Sequence, residues 1–394
     1  MPRRRAYDRW LFLTAALLAL AGLFMVGSAS HYIAMSAGRD PSYFLVRHGV
    51  FLAAGLLALA GTMVLPLRRL DDRRAVTWLW AASIVTLIAV LAMPTISGAH
   101  RWFRLGPLSL QPSELAKIAT ILLLAYMLSR RSPDQVNELR PTLVPAASLV
   151  GSLAVLIVIE PDLGSAVMVL ATAAVMLFVA GLRWKYIGGT AGLAVAFVGL
   201  AILAQPYRMA RVKTFLNPGS DTQGAGFQLA QSLLAVGSGG VTGVGFGQGQ
   251  QKAYYLPAAH TDFIAAVIAE EAGLLGMLLL LGLYAIVVWR GLRAAMNASD
   301  AFGCYAALGV TALVGTQAFV NLAVVFGLLP TKGLTLPFVS YGGSSLMTLL
   351  AAAGVLLSVS GDRGGFLRRP AAAVRVAPAA GALLGGEREA GGTT

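Results

Sequence analysis

YYLPAAHTDFIAAVIAEE, residues 254–271, decides how the rest of the chain is read. A His, an Asp and two Glu crowd here onto the mouth of an otherwise apolar helix. Polar, Gly-rich sequence runs up to it from about Gln205, and nearly continuous hydrocarbon follows from Phe263 to about Val288. Such a run is long enough to cross a bilayer, which takes about 20 residues. Asp262 therefore sits where a membrane ends and an aqueous pocket begins. Burying a carboxylate there is costly, so the acid points to chemistry or to ion binding.

Composition agrees with a membrane reading. Of 394 residues, 57% are hydrophobic and 12% charged, against about 25% charged in ordinary soluble domains. The net charge is +13, but the cations lie in short loops between apolar runs. That is a topology signal rather than a nucleic-acid surface, and it leaves no nucleic-acid partner. The single cysteine, Cys304, lies in an apolar run and excludes disulfides and cysteine–metal sites. The basic start, Met1 to Arg9, is followed by apolar sequence to about Ala29, long enough to span and remain rather than be cleaved.

Working outward, the chain predicts an all-α polytopic membrane protein of about ten transmembrane helices. They fall near 10–30, 44–66, 75–94, 113–129, 142–159, 164–182, 187–204, 263–288, 301–328 and 338–360. Arg3–Arg5 and Arg9, Arg68, Arg69, Arg73, Arg74, Arg130, Arg131, Arg140, Arg183, Lys185, Arg290, Arg293, Arg363, Arg368 and Arg369 then share one side. Positive loops face the cytoplasm, which puts both termini there. The expected organisation is a basic N-terminus over 1–9, one transmembrane domain over 10–361 and a cytoplasmic tail over 362–394. Its long extracytoplasmic loop, 205–262, joins spans seven and eight. The Ala/Gly-rich composition from Pro370 to Thr394 reads as disordered. No internal repeat of the inverted-transporter kind is visible.

Four segments with the richer chemistry converge on the extracytoplasmic side: Gly98 to Ser113, the Glu160–Gly164 turn, the 205–262 loop, and Leu329 to Ser345. In the first, Pro112 marks a helix start. Glu114 and Lys117, three apart, share a face and can pair. They read either as a structural ion pair or as the charged wall of a substrate cavity. In the EPDLG turn, Asp162 is placed to cap the following helix, and an acid there can alternatively serve as a base. Arg208, Arg211, Lys213 and Lys252 can grip a lipid pyrophosphate or simply meet headgroups. Gly239, Gly240, Gly243, Gly245, Gly247 and Gly249 imitate a phosphate-cradling loop, but no βαβ context surrounds them. Close backbone packing or a hinge is the better account. His260 and Asp262 are too few for a metal site, and no Gly-x-Ser-x-Gly turn supports a serine triad. Asp262 reads as a helix cap or as a base that deprotonates a sugar hydroxyl.

Five ordered blocks carry a resemblance: RWFRLGPLSLQPSELAK at 101–117, EPDLGSA at 160–166, GFQLAQSLLAVGSGGVTGVGFGQGQQK at 226–252, YLPAAHTDFIAAVIAEEAG at 255–273 and NLAVVFGLLPTKGLTLPFVSYGGSS at 321–345. Together they resemble the SEDS family (shape, elongation, division and sporulation) over nearly the whole chain to about Gly361. The PTKGLTLPFVSYGGSS and QGQQKAYYLPAAHTDF runs look like the division branch rather than the elongation branch. Ala265 departs from the family, which usually has an aromatic there, and His100 stands where small or basic residues are common. The resemblance implies a peptidoglycan glycosyltransferase that polymerises lipid II at the outer face of the bacterial cytoplasmic membrane, at the division septum.

By the same resemblance, Asp262 matches the family's essential acid, Glu114 and Lys117 its paired cavity charges, and Lys332 and Ser340 lie in its last signature. Arg101, Arg208, Arg211, Lys213, Lys252 and His260 complete the expected substrate-binding set. Implied partners are lipid II, membrane lipids, a class B penicillin-binding protein of the FtsI transpeptidase type and other divisome membrane proteins. A divalent cation such as Mg2+ is compatible with pyrophosphate chemistry, although no metal box is visible. The rival reading is a lipid II flippase. A transporter should place charges through the bilayer, whereas this chain gathers them at one face.

Overall fold

The computed structural model describes residues 7–95, 100–105, 108–217 and 225–361. Arg3–Arg5 and the tail expected over 362–394 lie outside the described residues, as do parts of the segments 98–113 and 205–262.

The elements are α1 (Arg9–Ser36), α2 (Tyr43–Val64), α3 (Leu67–Leu70), α4 (Arg73–Val90), a hairpin of β1 (Phe103–Leu105) and β2 (Leu108–Leu110), α5 (Pro112–Leu128) and α6 (Pro133–Val136). A π-helical turn, Leu139–Leu143, leads into α7 (Val144–Ile159), followed by α8 (Leu163–Val179), α9 (Trp184–Leu203), α10 (Pro206–Leu216), α11 (Ala225–Ser238) and α12 (Gln251–Tyr254). The chain closes with α13 (Ile264–Met296), α14 (Ala301–Val325) and α15 (Gly343–Gly361). Among the described residues, eight helices are long and apolar enough to cross a membrane by length and composition. The 17-residue α5 and α8 complete the ten expected spans. The protein is an all-α polytopic membrane protein carrying one short antiparallel hairpin, paired Phe103 to Leu110.

Its core is the α14–α15 pair with α5, whose side chains are buried nearly all round. By contrast α9 buries only Ala201 and presents an apolar surface on the periphery. With lipid as solvent, such a helix needs no further cover. Inside the bundle, association rests on close packing and side-chain bonds to backbone, because lipid offers no hydrophobic drive between helices. Thr62 Oγ1, for example, donates to Ala351 O at 2.8 Å and ties α2 to α15.

One end of the bundle is stapled by cations. Arg290 meets Asp8 at 2.5 Å, and Asp8 N donates to Ser360 Oγ at 3.1 Å, joining the start of α1 to the far parts of α13 and α15. Arg130 pairs with Asp71 at 2.7 Å beside the α3 turn. The other end gathers the hairpin, the Glu160–Asp162 turn, α10 and the 331–341 loop.

Two regions differ from the sequence expectation. The span predicted over 263–288 runs to Met296, because hydropathy marks only the apolar part of a helix that continues through Arg290 and Arg293. Among its described residues the 205–262 loop contains three helices, α10 to α12, which are too polar or too short to register as spans.

Helix α13 is broken at Gly273, which adopts φ 64° and ψ −160°. A break inside a bundle must re-satisfy the freed backbone groups. The glycine-rich segment does so. Val244 N and Gly245 N donate to the carbonyls of Glu270 and Glu271, while Leu274 N and Leu275 N donate to Gly240 O and Val241 O, all at 3.0–3.2 Å. Gly239 and Gly243 pack tightly against the backbone of α13, where a Cβ would meet Ala269 O and Glu271 O. At Gly243, φ is +82° and a Cβ would lie 2.1 Å from Glu271 O. Gly243→Ala should therefore cost at least about 1–2 kcal/mol from the left-handed conformation alone, and more from the clash. Thermal unfolding in detergent would show the lowered transition.

Candidate active site

Asp262 lies at the site end, one residue before the N-cap of α13. That cap is Phe263, which makes no side-chain capping bond. Asp262 therefore does not cap, and the capping alternative falls. Its carboxylate makes no hydrogen bond among the described residues. Asn321 holds the backbone: its Nδ2 donates to Asp262 O at 2.9 Å and to Leu334 O at 2.6 Å. A Cβ at Gly333 would stand 3.3 Å from Asp262 Oδ2, so the backbone of the 331–341 loop approaches the acid closely.

Burial raises the Asp262 carboxyl to about 6. Arg211 opposes the rise, Asp162 adds to it and Arg101 opposes it. The acid is thus poised close to neutrality, where a base is both ionised and basic enough to accept a proton. Arg211 is held by a 3.4 Å bond to Thr331 O. Arg101 donates to Glu160 O at 3.2 Å and to Pro161 O. Half-buried Lys332 has no partner among the described residues, and burial lowers its pKa.

The Glu160–Gly164 turn is a rigid support. Asp162 accepts from Ser165 N at 3.1 Å, Gln111 Nε2 at 2.8 Å and Ser113 Oγ at 3.2 Å, and so caps α8 as its position predicted. Glu160 is fully buried with neither carboxylate oxygen bonded. Burial first and Asp162 second push it up to about 9, against the pull of Arg101. It is neutral near pH 7 and adds no charge to the cleft.

The structure does not bring every sequence candidate to Asp262. Arg208 is buried, donating to Ala201 O at 2.8 Å and Val158 O at 3.1 Å, and serves to satisfy helix ends. Lys252 is buried against Glu271 and Ser28. Ser340 Oγ accepts from Leu336 N at 2.8 Å inside a turn. Glu114 and Lys117 form their predicted pair at 2.8 Å, with side chains 6% and 1% exposed. In each of these five the polar head meets protein partners in this structure. Lys213 is exposed on α10. His260 packs 5.0 Å from Phe44 and 5.3 Å from Tyr341, and burial lowers it to about 4, so it is a neutral ring.

Sequence reading missed Asn321 and Gln111, although an Asn inside an apolar span was itself a signal. Asn321→Ala would leave two carbonyls unpaired and should cost about 1–3 kcal/mol in detergent unfolding measurements. Among the described residues no group of three or more His, Cys, Asp or Glu is arranged to hold a metal ion. Both Asp162 oxygens are already bonded, so the side chains present form no ready ion cage among the described residues.

The comparisons fit this geometry. The FtsW/RodA/SpoVE family profile, described as cell cycle protein, matches residues 8–364. The chain is 41% identical to a probable peptidoglycan glycosyltransferase FtsW of Geobacter metallireducens, covering 90% of this chain and 94% of that one. It is 42% identical to the protein of the same description in Coxiella burnetii, over 90% and 96%. Among solved structures, a chain of a peptidoglycan synthase complex that coordinates polymerization and crosslinking superposes with a TM-score of 0.75 at 35% identity, covering 91% of this chain and 98% of that one. The rod shape determining protein RodA of Thermus thermophilus gives 0.68 at 32% identity, covering 92% and 99%. The five signature blocks, the ten-helix bundle and a family match spanning nearly all of it coincide, and the chain belongs to the FtsW/RodA/SpoVE family of cell cycle proteins.

Proposed function

We propose that the chain is a peptidoglycan glycosyltransferase that polymerises lipid II during cell division. The observation that carries the mechanism is the unpartnered Asp262 carboxylate, raised to about 6 between Arg211 and Arg101 and close against Gly333. Asp262 takes the proton from the GlcNAc 4-hydroxyl of the acceptor. The oxygen attacks the anomeric carbon of the donor, the bond from that carbon to the pyrophosphate oxygen breaks, and undecaprenyl pyrophosphate leaves. Arg211, Arg101 and Lys332, with Lys213 at the rim, stabilise the departing negative charge, a preorganised electrostatic role.

The active end faces the extracytoplasmic side and both termini the cytoplasm. Support comes from the basic residues of α3, α4, α9 and the α5–α7 connection, which lie in the opposite set of loops. The placement is the bacterial cytoplasmic membrane at the septum. The crosslinking partner is a class B penicillin-binding protein, within a larger set of divisome membrane proteins.

The test is reconstitution of the purified chain with its transpeptidase and labelled lipid II. The parent should yield glycan strands and undecaprenyl pyrophosphate, and Asp262→Ala neither. Strands at the parental rate from that variant would remove Asp262 from the mechanism. Lipid II translocation that persists while polymerisation stops would leave the flippase reading without support.

A further inference from the structure

Asp262 sits near the tip of a chain segment whose base is closed by buried charges that the proposed chemistry does not use. Glu270, Glu271 and Lys252 are each 2–3% exposed. The Glu270 carboxylate accepts from Gln250 N at 2.8 Å and from Gln251 N at 3.2 Å. The approach is close enough that a Cβ at Gly249 would lie 2.8 Å from Glu270 Oε2. Lys252 Nζ pairs with Glu271 Oε1 and donates to Ser28 Oγ at 2.6 Å, and Ser28 Oγ in turn donates to Glu271 Oε1 at 2.8 Å. Residues 252 and 271 are thus clamped together and to α1, and the chain between them carries Ala258, at φ 58°, and Asp262.

Nothing in the glycosyl-transfer step calls for two glutamates and a lysine at this depth. A buried ion pair contributes little to stability relative to an apolar replacement, so its retention points to geometry rather than to energy. The far part of the segment is held by Asn321 on Asp262 O, by Tyr341 N on His260 O and by the buried Ala259 and Phe263. Those contacts hold the acid locally, and the clamp fixes the chain that carries it toward Arg101, Asp162 and Arg211, the charged groups that face it.

We infer that Glu271 and Lys252, with Glu270 binding the Gln250 and Gln251 amides, are positioning residues that set the place of Asp262 in the cleft. This rests on the reading of Asp262 as the base. The clamp does not touch substrate. It fixes one end of the segment, and the first two turns of α13 fix the other.

Lys252→Met/Glu271→Leu removes both charges and fills the space with apolar atoms. In the lipid II assay it should lower kcat about 10–100-fold, the cost of a misplacement near 1 Å, with KM nearly unchanged. The acid limb of the pH–rate profile should fall from about 6 toward the ordinary carboxylate value of about 4 as the acid escapes burial. A parental kcat and an unmoved acid limb would overturn the inference. Hydrogen–deuterium exchange on the native chain decides the matter even where the variant does not fold. Residues 250–256 should exchange as slowly as the first turns of α13, and exchange at the rate of an open loop would overturn the clamp. Asp262→Asn in the same assay separates the two readings. If it retains activity, the base assignment fails; if it is inactive while the clamp variant is unaffected, the clamp alone fails.

Discussion

Asp262→Asn is expected to reduce lipid II polymerisation by about 10²–10⁴-fold, the usual contribution of a positioned general base. The amide keeps the shape of the carboxylate but cannot accept the proton that the sugar hydroxyl must lose. Ground-state contacts to donor and acceptor survive, so the loss should appear in kcat with little change in KM. The fold should survive as well. Asp262 makes no side-chain bond among the described residues, and its backbone carbonyl, held by Asn321, is untouched.

The direction of the pKa shift sharpens the same experiment. The folded-state value of about 6 lies above the ordinary 3.8. The base form is populated only above about 6, so the parental rate should climb through that region as pH rises. Stability runs the other way. A carboxyl whose pKa is raised by folding binds its proton more tightly in the folded protein, so its contribution is fully present at low pH and lost as pH climbs through 6. Asp262→Asn carries no such charge and should resist unfolding at pH 8 at least as well as the parent. A variant that is inactive and equally stable locates the defect in the reaction; one that is inactive and unstable does not.

Much of this was legible in the chain because it depends on local or one-dimensional signals. Apolar run length placed ten helices. Pro112 marked the start of α5, Asp162 capped α8, and the three-residue spacing of Glu114 and Lys117 predicted their pairing. What was hidden is non-local. The break at Gly273 is repaired by backbone groups some thirty residues earlier, and no periodicity in either segment announces the other. Charge could be read from sequence but its partner could not. Arg208 and Lys252 look like free cations until the fold brings helix-end carbonyls to one and Glu271 to the other. Asp262 stands at a helix start by sequence, yet Phe263 occupies the cap position and the carboxylate is left free. The convergence of Arg101, Asp162, Arg211 and Gly333 on that acid joins four segments of the chain, a result of topology that no single motif contains.

Lys117→Met should be the most damaging substitution for the fold itself. The Lys117–Glu114 pair is sealed in α5 with almost no exposure, and Lys117 Nζ also donates to Gln317 Oε1 at 3.3 Å. Gln317 passes the connection on, its Nε2 donating to Thr335 O at 2.9 Å in the loop that carries Lys332 and Gly333. Removing the ammonium leaves Glu114 charged, buried and unpaired, at a cost of about 3–5 kcal/mol. Glu114→Gln/Lys117→Met removes both charges and should recover most of that loss, because an apolar or neutral replacement of a whole buried pair is often close to neutral. A double-mutant cycle on unfolding in detergent measures the difference, and activity of the double variant decides what the pair is for. If the pair only supports the 331–341 loop through Gln317, any neutral filling of similar volume can replace it, and the double variant should polymerise lipid II with its KM little changed. A stable double variant with a strongly raised KM would mean that substrate reaches these charges, and that α5 opens further during turnover than its sealed packing shows.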